Sequence, residues 1–120
     1  MIRILYVDDE PDIREIAEMS LGLDPDFDVR TASGGEAALA LIAEWRPEIV
    51  LLDVMMPGMD GPAVLARLRE DAATADLKVA FVTARAQKSE IQNFATLDAV
   101  GVIAKPFAPM SLASQVRELL

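Results

Sequence analysis

Five short apolar runs, Ile2 to Val7, Phe27 to Thr31, Glu48 to Asp53, Leu77 to Thr83 and Val100 to Ala104, are separated by stretches with helical hydrophobic spacing. This alternation constrains the chain more than any other feature, because a strand followed by a helix-length crossover leads to a parallel neighbour by a right-handed connection. Ile49-Val50-Leu51-Leu52 is apolar at every position, as a central parallel strand covered on both faces should be. Asp12 to Leu23 carries Ile13, Ile16, Ala17 and Met19 or Ser20 near one helical face. Ala38, Leu41, Ile42 and Trp45 fall at i, i+3, i+4 and i+7, and Pro47 ends that helix. Further helices use Val64, Leu65 and Leu68, then Ser89 to Leu97 more weakly, then Pro109 to Leu120 with Leu112, Val116, Leu119 and Leu120 on one face. The pattern predicts an α/β, flavodoxin-like, doubly wound (βα)5 fold: a five-stranded parallel sheet in order 2-1-3-4-5 with helices on both faces. Functional groups then belong at the carboxyl ends of the strands, around the switch between strands 1 and 3.

The length of 120 residues suits a single domain with a real core, and no output domain is expected. Histidine and cysteine are both absent. That excludes Ser-His-Asp and Cys-His nucleophile systems, zinc sites of the usual N/S type and disulfide scaffolds. The 11 basic and 20 acidic side chains leave a net charge of −9, which argues against direct nucleic-acid binding or an anionic membrane surface. No apolar stretch approaches the roughly 18 to 20 residues of a membrane span, and Asp8 follows Met1-Ile2-Arg3-Ile4-Leu5 too soon for a signal peptide. A cytoplasmic location is expected. Trp45 reads as helix-to-sheet packing, and Met55, Met56 and Met59 as adaptable core filler.

The strand ends carry Asp8-Asp9-Glu10 after strand 1, Asp53 on strand 3, Thr83-Ala84 on strand 4 and Lys105-Pro106-Phe107 after strand 5. Taken singly, each has an ordinary structural role: a helix N-terminus, a turn former, a β-branched strand residue, a surface lysine beside a turn. Together they converge on one sheet edge. Carboxylates packed there repel one another unless a cation joins them, and an all-oxygen donor set with no His or Cys selects a hard ion such as Mg²⁺. A divalent cation, a free carboxylate, a hydroxyl and an ammonium are also what phosphoryl transfer requires.

The segments Ile4-Leu5-Tyr6-Val7-Asp8-Asp9-Glu10, Asp53-Val54-Met55-Met56-Pro57-Gly58-Met59-Asp60-Gly61, Val82-Thr83-Ala84 and Lys105-Pro106-Phe107 resemble the receiver domains of bacterial two-component response regulators (CheY-like). The resemblance covers essentially the whole chain. It implies that Asp53 is the phosphoacceptor, taking its phosphoryl group from the phosphohistidine of a sensor histidine kinase or histidine phosphotransfer protein. It further implies that Asp9, Asp53 and the backbone carbonyl of Met55 bind Mg²⁺ directly and that Asp8 does so through water. Thr83 and Lys105 would contact phosphoryl oxygens, the N–H groups of Met55 and Ala84 would complete the cradle, and the Lys105-Pro106 bond would be cis. The product would be a phosphorelay switch acting on a downstream protein, with self-catalysed phosphotransfer and autodephosphorylation rather than turnover of an external substrate. A chain without histidine must receive a phosphohistidine-borne group from another chain.

The sequence departs from the family pattern at Val102, where an aromatic residue is usual, and at Ala108, where a helix-capping hydroxyl is frequent. Pro109 and Ser111 are the candidates to compensate for the cap, and Arg85 is a candidate contact to the phosphoryl group or to an acidic neighbour. Two other functions compete. A haloacid-dehalogenase-like phosphatase would use Asp8 as nucleophile, but needs a further acidic pair after the lysine, where this chain has only Glu118. A flavin- or nucleotide-binding module needs a Gly-, Ser- or Thr-rich first loop, whereas Asp-Asp-Glu repels phosphate.

Overall fold

The computed structural model describes residues 1–84 and 99–120. Among them lie β1 (Ile2–Val7), α1 (Pro11–Leu21), β2 (Phe27–Ala32), α2 (Gly35–Trp45), β3 (Ile49–Asp53), α3 (Gly61–Glu70), β4 (Lys78–Thr83), β5 (Gly101–Ala104) and α4 (Leu112–Leu119). The strands form one parallel sheet in the order β2-β1-β3-β4-β5, as the alternation requires. The expected helix from Ser89 to Leu97, and Arg85, lie outside the described residues.

Strand periodicity sorts the core into two layers. Leu5, Val7, Val50, Leu52, Val79 and Phe81 point to the face covered by Ala38, Ile42 and Trp45 of α2 and Val64, Leu65 and Leu68 of α3. Ile4, Tyr6, Ile49, Leu51, Ala80 and Val82 point to the opposite face, against Ala17 and Leu21 of α1 and Leu112 and Val116 of α4. All five residues of β3 are buried, and each fully buried aliphatic side chain contributes about 1.5–3 kcal/mol. Trp45 packs between helix and sheet as expected, with the guanidinium of Arg30 4.8 Å from the ring centroid.

Three local expectations are corrected. In α1 the buried stripe is Ala17, Ser20 and Leu21, while Ile16 and Met19 are exposed; at 100° per residue they rotate off a face centred on Ala17 and Leu21. The last helix starts at Leu112 rather than Pro109, because Ser111 N donates to Ala108 O in a turn and the first helical bond is Gln115 N to Ser111 O. The Ser111 hydroxyl donates to Ala108 O at 3.2 Å and makes no cap, so the lost cap is not replaced there. Finally, Met56 is core and Met59 packs against it, but the Met55 side chain is exposed.

The amino end of β2 is tied to α4. Arg117 is within 3.0 Å of Asp24 and 2.7 Å of Asp26, and its guanidinium lies 5.3 Å from the Phe27 ring centroid.

Candidate functional site

Parallel register assembles the site. Val7 pairs with Leu52, which brings Asp8 and Asp53 level at the next step, and Thr83 pairs with Ala104, which does the same for Lys105. The ladder continues past the strand ends through Asp8 N to Ala32 O (3.1 Å), Val54 N to Val82 O (3.2 Å) and Lys105 N to Thr83 O (2.9 Å). Backbone hydrogen bonds therefore hold loops remote in sequence along one edge.

The turn after β3 turns back tightly on itself. Gly58 has φ 75°, Gly61 N donates to Val54 O at 3.1 Å, and Asp60 caps α3 by accepting from Ala63 N at 2.9 Å. A Cβ on Gly61 would stand 2.6 Å from the carbonyl oxygen of Asp53, so only glycine lets α3 start this close to the acidic strand end.

Oxygen ligands of Asp8, Asp9 and Asp53 all lie within 4.8 Å of one another. Asp8 is fully buried, and both its oxygens are engaged: Oδ1 accepts from Glu10 N at 3.0 Å, and Oδ2 accepts from the Tyr6 hydroxyl at 3.1 Å and Lys105 Nζ at 2.9 Å. Lys105 Nζ also stands 3.4 Å from Asp53 Oδ2 and 3.9 Å from Glu10 Oε1. Asp53 Oδ1 meets Met55 N at 3.4 Å. The Lys105-Pro106 bond is cis, as the resemblance implied.

Burial pushes the Asp53 carboxyl above its ordinary range, and the neighbouring Asp8 charge adds to the rise; Lys105 offsets only part of it. Burial alone would lower Lys105, but its hydrogen bond to Asp8 and the Asp53 charge raise it. The Tyr6 hydroxyl is raised by burial first and by Asp8 second, so it stays protonated and acts as a donor. One ammonium thus faces more negative charge than it balances. A hard divalent cation suits the unbalanced oxygen set.

Above these groups opens a cleft of about 450 Å³, whose lining includes Glu10, Asp53, Met55, Thr83, Ala84 and Lys105. Thr83 is buried and Ala84 exposed, so a small side chain marks the entrance. Asp8, Asp9, Asp53, Met55, Thr83, Ala84 and Lys105 all stand at this edge, while Arg85 lies outside the described residues. Val102 is half-buried and packs against the α2/α3 core layer. Tyr6 is the residue that the sequence reading left without a role. The available signal was the strand period, since the chain's only tyrosine sits two residues before Asp8 and shares its sheet face.

Two buried aspartates and a half-buried third, with a lysine, at the carboxyl edge of a 2-1-3-4-5 sheet define a signalling receiver. Residues 4–117 match the response regulator receiver domain family, and the chain belongs to it. Among its relatives, the DNA-binding dual master transcriptional regulator RpaA of Synechocystis is 37% identical across 100% of this chain and 49% of that protein. The response regulator Rre1 of Synechocystis is 40% identical across 99% of this chain and 52% of that one. The chain thus spans about half the length of these curated relatives. Among solved structures, the chemotaxis protein CheY4 of Vibrio cholerae superposes with a TM-score of 0.90 at 28% identity, covering 100% of this chain and 99% of that one. The response regulator TrrA of Thermotoga maritima, solved in complex with Mg²⁺-BeF, gives 0.83 at 32% identity, with 100% of both chains covered. No helix among the described residues is long and apolar enough to cross a membrane.

Proposed function

We propose that residues 1–120 form one receiver domain in which Asp53 accepts a phosphoryl group from a phosphohistidine on a separate cytoplasmic protein, a sensor histidine kinase or histidine phosphotransfer protein. An Asp53 carboxylate oxygen forms the new O–P bond as the N–P bond of the donor breaks. The electron pair leaves on the imidazole, which takes a proton from water. The observation that carries this reading is the contrast between the two buried carboxylates: Asp53 lines the cleft, whereas Asp8 spends both oxygens on three donors. Asp8 as nucleophile, the phosphatase alternative, draws no support from the family match.

Asp9, Asp53 and the Met55 carbonyl, with Asp8 through water, would hold Mg²⁺, which when bound offsets negative charge on the phosphoryl oxygens. Donor chemistry supports the fit: the cluster is all oxygen and carries more negative charge than Lys105 balances. Lys105 pairs with one phosphoryl oxygen and Thr83 donates its hydroxyl to another, while the N–H groups of Met55 and Ala84 face the developing charge. The same groups serve self-catalysed hydrolysis of the aspartyl phosphate. The added charge of about −2 shifts a conformational equilibrium that a downstream protein reads. DNA binding is named for a relative about twice this length; for this acidic domain we assign protein partners.

The test is incubation with Mg²⁺ and a small-molecule phosphodonor, with the acid-labile group mapped by mass spectrometry. The expected label is on Asp53 and disappears in Asp53→Asn. A label on Asp8, or one surviving that substitution, overturns the assignment.

A further inference from the structure

We propose that Tyr6 is a positioning residue whose hydroxyl sets how readily Lys105 leaves Asp8 for the phosphoryl group. The proposal rests on the reading of Asp53 as acceptor. Asp8 Oδ2 is shared by two donors, the Tyr6 hydroxyl at 3.1 Å and Lys105 Nζ at 2.9 Å. Both Tyr6 and Asp8 have no exposed surface. Packing fixes the phenol: its ring meets that of Phe107 edge-on, centroids 6.2 Å apart and planes at 77°, two residues beyond Lys105. Tyr6 therefore joins the loop that carries the lysine to the carboxylate that holds its ammonium.

Lys105 Nζ lies closer to Asp8 than to Asp53 (2.9 against 3.4 Å), and turning toward a phosphoryl group on Asp53 draws it away from the Asp8 contact. With the Tyr6 hydroxyl in place, Oδ2 keeps one donor after the ammonium turns away. Without it, the ammonium is the one protein donor to this buried oxygen among the described residues, and its loss is costly, so the ammonium is held back. Tyr6 acts on the lysine through Asp8 and does not touch the reacting atoms.

The experiment compares beryllofluoride affinity in saturating Mg²⁺ for the wild-type chain, Tyr6→Phe and protein grown with 3-fluorotyrosine. Because Tyr6 is the only tyrosine, the fluorinated residue enters at one position and strengthens the donor with little change in shape. Tyr6→Phe is expected to weaken binding about five-fold and fluorotyrosine to tighten it about two-fold, the scale of one modest hydrogen bond. In the unliganded proteins, NMR of the Lys105 ammonium should show slower exchange with water in Tyr6→Phe and faster exchange with fluorotyrosine. Changes in the same direction for both replacements, or unchanged ammonium exchange, overturn the proposal and mark Tyr6 as packing alone. Should Tyr6→Phe fail to fold, the fluorotyrosine protein decides by itself: tighter binding with faster ammonium exchange supports the role, and anything else ends it. Wild-type protein that takes no label on Asp53 removes the acceptor reading and this proposal together, whereas a labelled wild type with insensitive Tyr6 variants removes this proposal alone.

Discussion

Two cations in this molecule each face several carboxylates, in opposite surroundings. Arg117 is partly exposed and meets Asp24 and Asp26 at the surface; its hydrogen bond lowers the Asp24 carboxyl and the same contact raises the guanidinium. Lys105 meets Asp8 and Asp53 with their side chains at most 7% exposed, and there Asp53 is raised even beside an ammonium. The difference is desolvation. At the surface water screens the excess charge and a pair is simply favourable; at the buried edge one cation leaves a deficit, which is what makes the site receptive to a second cation and to a phosphoryl group.

The largest test of this contrast removes each cation. Lys105→Ala should lower the metal-free stability by about 3 kcal/mol in urea unfolding at neutral pH, because buried carboxylates lose their partner. Arg117→Ala should cost much less, and added salt should erase most of its effect; equal losses would break the comparison. Next, Mg²⁺ at 100 times its Kd should stabilise the wild type by about 2.7 kcal/mol. That gain should vanish in Asp9→Asn and persist in Asp26→Asn, since only the first belongs to the clustered oxygen set.

A smaller effect concerns pH. The folded Asp53 carboxyl lies above its ordinary value of 3.8, so the folded state binds this proton more tightly than the unfolded state. Its contribution is fully present below 3.8 and is lost as pH rises through the folded value. Metal-free Asp53→Asn should therefore unfold at higher urea than wild type at neutral pH, with the gap narrowing as pH falls through the folded Asp53 value. A constant gap would mean that desolvation of this carboxylate is not what separates the two clusters. The smallest effect is on Asp24→Asn, which should weaken the Arg117 tie in low salt and do nothing to Mg²⁺ binding measured by calorimetry.

Much of this was legible along the chain. The alternation of apolar runs with helical spacing fixes strand count and order, since parallel neighbours need crossovers of one hand. The positions of Asp8, Asp53, Thr83 and Lys105 at strand ends follow from where each apolar run stops. Periodicity was less informative at edges and faces: Ile16 and Met19 are apolar like Ala17 and Leu21, but α1 packs its Ala17 and Leu21 face on the sheet and leaves the other two exposed. Ser111 is a good capping residue by type, yet its hydroxyl bonds backward to Ala108, a choice set by the turn that precedes the helix.

The sequence by itself determined the fold and the all-oxygen chemistry of the site, because these depend on residue type and order. Only the tertiary structure decided which carboxylate lines the cleft. Asp8 and Asp53 are both strand-end aspartates, but Tyr6 and Glu10 donate to the first from two residues either side, the sheet adds Lys105 to it, and the cleft opens over the second. The lysine contact depends on a distance across the sheet, which no spacing along one strand contains.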